Sequence, residues 1–146
     1  MNQATPAVRD LARLLLALEA DQSEHAEDDA YVALRVFEKL RSHLAKLVGI
    51  AGFQALLVRT LVLAKTEAGW LEGVCVQADA TLGGFPEAAQ RQPANAVAAG
   101  SAALLAQLLG LLITFIGQAL TLRLVADVWP EARMDAMHSG AKETPA

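Results

Sequence analysis

The chain has 146 residues, a net charge of −4 and 54% hydrophobic residues, of which few are aromatic. That length suits one ordinary domain with its own core, and so mild a charge singles out no class of partner. Ala and Leu dominate over β-branched residues, which favours helices and argues against a sandwich or barrel.

Thr5-Pro6 reads as an N-cap followed by proline at the first helical position. Val8, Leu11, Leu15 and Leu18 then recur at helical spacing, so a first helix is expected to end near Ala20. A polar run from Asp21 to Asp29 connects it to a second helix. There Leu34, Phe37, Leu40, Leu44, Leu47 and Val48 form one face, and Arg35, Lys39, Ser42, His43 and Lys46 the other. Gly49 and Gly52 bracket a break, after which Phe53, Leu56, Leu57, Leu61 and Leu71 mark a third helix.

Alternation from Val74 to Leu82 fits a short hairpin turning near Ala78-Asp79. Gly83-Gly84-Phe85-Pro86 reads as a loop, and Glu87 to Asn95 as a linker or frayed helix. Residues 73–95 are thus expected to be irregular. The last helix is predicted from Ser101 to Val128 as a single rod about 40 Å long, stopped by Trp129-Pro130. Residues 131–146 read as a disordered tail.

No charge occurs between Gln92 and Leu122. The window Ala103 to Thr121 averages about +1.8 in hydropathy, which is enough for a membrane span near residues 101–122. Each of the first three helices, however, carries an apolar stripe that needs cover, and the last helix is the obvious partner. The expected fold is therefore all-α and four-helix bundle-like, a single domain over residues 1–130 with the apolar C-terminal helix at its centre.

Within that helix Gln107, Gly110, Thr114, Gly117 and Thr121 follow a small or polar seam, which we read as a self-association surface. Arg35, Lys39 and Lys46 form a basic stripe, a candidate contact for a protein partner with an acidic surface. Few aromatics interleave with that stripe and the whole chain is acidic, so nucleic acid is not an expected partner.

His43-Leu44-Ala45-Lys46 is similar to the H-x-x-K core of histidine phosphotransfer domains. The resemblance implies a helical bundle with His43 as phosphoacceptor beside Lys46. It departs from the family at Leu47, where a glycine usually follows the lysine.

Cys75 is the only cysteine; it excludes an internal disulfide and fits a reducing compartment. No secretory signal is visible, so a cytoplasmic location is expected. His25, His43 and His138 have no companions at zinc or di-iron spacing, and no phosphate-binding glycine loop occurs. The expectation is a non-enzymatic regulatory or adaptor domain that self-associates, with no catalytic residues, metal or cofactor.

Overall fold

The structure is a computed structural model that describes residues 4–22 and 29–132. The expected tail beyond residue 132 lies outside the described residues, as do His25 and His138.

The fold is all-α apart from one small hairpin. Helix α1 spans Pro6–Asp21, α2 Asp29–Lys65, α3 Phe85–Gln90, α4 Ala94–Ile116 and α5 Gln118–Val128. Thr5 caps α1, its Oγ1 accepting from the Val8 amide at 3.3 Å. A 3-10 turn at Gly69–Gly73 follows α2. Strands β1 (Cys75–Val76) and β2 (Leu82–Gly83) then pair antiparallel, Cys75 opposite Gly83 and Val76 opposite Leu82. The segment read as a linker holds α3, and Pro93 precedes the first residue of α4.

Helix α2 is two arms joined at Gly49, whose φ of 79° and ψ of 165° are not helical. Gly52 sits inside the second arm. Phe37 and Leu57 line one cavity together with Leu82, although a straight helix would hold them about 30 Å apart. Arg41 of the first arm donates to the Asp79 carbonyl at 2.7 Å, and Gln54 of the second to the Gln77 carbonyl at 3.2 Å. The arms therefore fold back on each other and clamp the tip of the β-hairpin between them.

The predicted continuous rod is corrected in the same way. Gly117, at φ 90° and ψ 157°, ends α4 and begins α5. Its N–H donates to the Ile113 carbonyl at 2.9 Å, while its own carbonyl accepts from the Thr121 amide and, at 2.8 Å, from Thr121 Oγ1. One glycine thus caps two helices, because only a residue without Cβ adopts this backbone cheaply.

Both elbows point the same way. The first turns of α4 lie beside Trp70, just past the end of α2. Gln107 further along α4 reaches back to Glu67, so α4 runs antiparallel to the second arm of α2 and its C-terminal Gly117 heads toward the Gly49 end. A single carboxylate, Glu19, contacts both Lys39 and Trp129.

Helix α4 runs through the middle. Every residue from Ala103 to Leu112 is buried, and Leu104, Leu105, Leu108 and Leu109 join Phe53, Leu57, Leu15 and Trp129 in one core. Two helices are long and apolar enough to cross a membrane by length and composition. In α4, 72% of the most apolar window is buried by the rest of the chain; in α2 only 33% is.

Candidate functional site

The sequence-predicted residues separate into three groups. Of the seam, Gln107, Gly110 and Thr121 are buried inside the fold, whereas Thr114 and Gly117 are exposed at the second elbow. Gln107 Nε2 donates to Glu67 Oε2 at 2.5 Å, and Thr114 Oγ1 donates back to the Gly110 carbonyl at 3.1 Å. The seam is thus no continuous surface. Its polar side chains bond within the fold, Gln107 to Glu67 beyond the end of α2 and Thr114 and Thr121 back to carbonyls of the preceding turn.

Arg35 and Lys39 of the basic stripe turn inward. Arg35 Nε lies 3.1 Å from Glu19 Oε2, and Lys39 Nζ lies 2.7 Å from Glu19 Oε1. Trp129 Nε1–H donates to the same Oε1 at 3.1 Å. Glu19 is only 2% exposed, so one buried carboxylate binds α1, α2 and the end of α5 together. Burial pushes its carboxyl pKa up, but hydrogen bonds from Lys39, Trp129 and Arg35 outweigh that and hold it below the usual value. Among the described residues Lys46 has no such partner, and it is exposed.

Glu19 belongs to no motif named in the sequence. A signal for it was available. Val8, Ala12, Leu15 and Glu19 share one helical face and are all buried, whereas Leu11 and Leu18 are half-buried. An acid at the end of an apolar stripe calls for buried cationic partners.

His43 is half-buried, with Nδ1 3.0 Å from the Lys39 carbonyl. A carbonyl can only accept, so Nδ1–H is the donor. Leu47, 56% exposed, projects from the turn that follows Lys46. Among the described residues, no group of three or more His, Cys, Asp or Glu side chains converges as a metal site would require. Cys75 is exposed on β1.

The largest described cavity, about 790 Å³, opens between α1, the start of α2, the turn at residues 67–70 that follows α2, and the first turns of α4. Gly100 and Ala103 lie on its α4 side beside Trp70. A Cβ at Gly100 would collide with the Trp70 ring, so the glycine is what lets the indole lie against α4. Trp70 also packs on Phe85 of α3, their ring centroids 5.8 Å apart.

The feature least typical of a small helical domain is at the elbows. Leu47, Val48 and Ile50 flank the first elbow at 56%, 38% and 38% exposure; Phe115 and Leu120 flank the second at 69% and 43%. No charged residue occurs from Leu47 to Val58 or from Gln92 to Leu122. Sequence pattern placed Leu47 and Val48 on the buried face of the second helix. The fold-back at Gly49 is what leaves them outside. No family model matches the chain, nor does any curated protein or solved structure.

Proposed function

We propose that this protein is a non-enzymatic helical interaction module that self-associates through its elbow end. The observation that carries the reading is the exposure of Phe115 and Leu47 on a surface formed by two charge-free stretches. Apolar side chains clustered in this way at one end of a domain are commonly covered by a partner surface. A second copy suits it, because an uncharged patch can meet itself across a two-fold axis without like-charge repulsion. Thr114 and Gly117, the exposed members of the seam, belong to this same end. An acidic protein partner at Arg35 and Lys39 is less well supported, since both already face Glu19.

The test is light scattering coupled to size exclusion on protein purified without detergent. The wild type is expected to run as a dimer or higher oligomer at tens of micromolar. Phe115→Ser combined with Leu47→Ser should give a monomer with an unchanged helical spectrum. A monomeric wild type, or a chain recovered only in detergent, would overturn the proposal.

A further inference from the structure

The second arm of α2, residues 50–65, is apolar on two opposite faces. Phe53, Leu57, Thr60 and Ala64 point into the core and are buried. At 3.6 residues per turn, Ala51, Ala55, Val58 and Val62 fall on the opposite side, and all four are exposed. Val58 and Val62, at 49% and 53% exposure, occupy positions where an ordinary surface helix carries polar side chains. With the exposed residues of the first elbow, this outward face leaves only a third of an apolar window of mean hydropathy 1.9 buried in α2.

The edges of that outward face are cationic. Arg59 borders it on one side and Lys65 on the other, and Lys46 stands just before the first elbow. None of the three forms an ion pair among the described residues. From Lys39 to Thr66 the sequence contains no Asp or Glu at all. Two copies meeting through this face would set Arg59 and Lys65 against their counterparts, with no acid from residues 39–66 to relieve it. Charge therefore selects an anionic counter-surface.

The shape of the face selects its kind. Protein hot spots favour aromatic anchors seated in pockets. This face has no aromatic residue, and none of the three described cavities is lined by Ala51, Ala55, Val58 or Val62. A smooth apolar strip edged by long cationic side chains matches a bilayer interface instead. The strip enters the acyl boundary while Arg and Lys reach the headgroups.

We infer that the outward face of residues 50–65 docks on an anionic lipid surface. The whole chain lies on the bilayer by this arm, and α4 stays in the protein core. The interaction is separate from self-association at the elbow end and has a separate readout.

The test is co-sedimentation of the full chain with phosphatidylcholine vesicles, with and without about a third phosphatidylserine. The wild type is expected to pellet with the anionic vesicles at low salt, to remain in the supernatant with the neutral ones, and to be released by high salt. Each cation near an anionic surface contributes about fivefold to binding, so Arg59→Glu with Lys65→Glu should weaken it by at least about 25-fold. Val58→Asp with Val62→Asp should abolish it. Val58, Arg59 and Val62 are exposed and Lys65 is half-buried, so the helical spectrum should hold in both variants, and light scattering on them reports the oligomer independently. A wild type that ignores anionic vesicles overturns the inference and leaves an acidic protein surface as the occupant. Equal binding to both vesicle types, or variants that bind like wild type, overturns it as well.

Discussion

Glu19 carries an unusual load for one side chain. It is almost fully buried, yet it holds two cations and an indole N–H. Arg35 and Lys39 remain 34% and 35% exposed, so water can partly solvate them if the acid is lost, and the cost stays below that of a fully buried broken pair. Glu19→Leu is expected to destabilise the fold by about 2 kcal/mol, and Trp129→Phe, which removes the N–H together with the pyrrole ring of a fully buried side chain, by about 2 kcal/mol. The two losses should be non-additive, because both act through Oε1. Urea denaturation of the single and double variants checks this. Strictly additive losses would mean that Trp129 acts by packing alone. The basic half of this cluster was legible as the stripe of Arg35 and Lys39. Its direction was not, because a stripe on a helix wheel does not reveal whether a buried acid or water faces it.

At the scale of elements, the two elbows differ in how readable they were. Around Gly49 the pattern changes on both sides, with Gly52 close by, and a break there is the natural reading. Gly117 lies in an unbroken apolar run, where a glycine equally suits close helix packing. Glycine allows a positive φ without requiring it, so neighbouring residues cannot report which backbone it adopts. The structure makes the point testable. A Cβ at Gly49 or Gly117 would meet nothing within 4 Å, so any penalty for alanine is backbone strain and not a clash. Gly49→Ala and Gly117→Ala should each cost about 2 kcal/mol, measured by thermal or urea unfolding. A Gly117→Ala chain as stable as wild type would indicate that α4 and α5 can run on as one rod. Element types were otherwise well marked by spacing. The hairpin and α3 were the faint cases, because two-residue strands and a six-residue helix are too short to establish a period.

Over the whole molecule, α1 is fastened at both ends by a carboxylate whose pKa lies below the ordinary value. Near its start, Arg9 lies 2.7 Å from Glu67. Burial raises the Glu67 carboxyl pKa, and hydrogen bonds from Arg9 and Gln107 lower it further than burial raises it. Near its end, Glu19 behaves likewise. A carboxylate with a depressed folded-state pKa contributes stability that is fully present above the unfolded value and is lost as pH falls through the folded one. Stability should therefore be flat with respect to these groups from about pH 6 upward and decline below about pH 4.5. Both fastenings join α1 to the rest of the fold, and among the described residues Gln107 is the one polar tie they make to α4, while α4 packs on α2 mainly through apolar residues of the common core such as Leu104, Leu108, Phe53 and Leu57. Acid should accordingly loosen α1 before the remainder unfolds. Hydrogen exchange followed from pH 6 to pH 3, with intrinsic rates corrected for pH, should show residues 8–20 losing protection before residues 103–112. Simultaneous loss in both segments would mean that α1 is held chiefly by Val8, Ala12 and Leu15 in the common core, with the two acids contributing little.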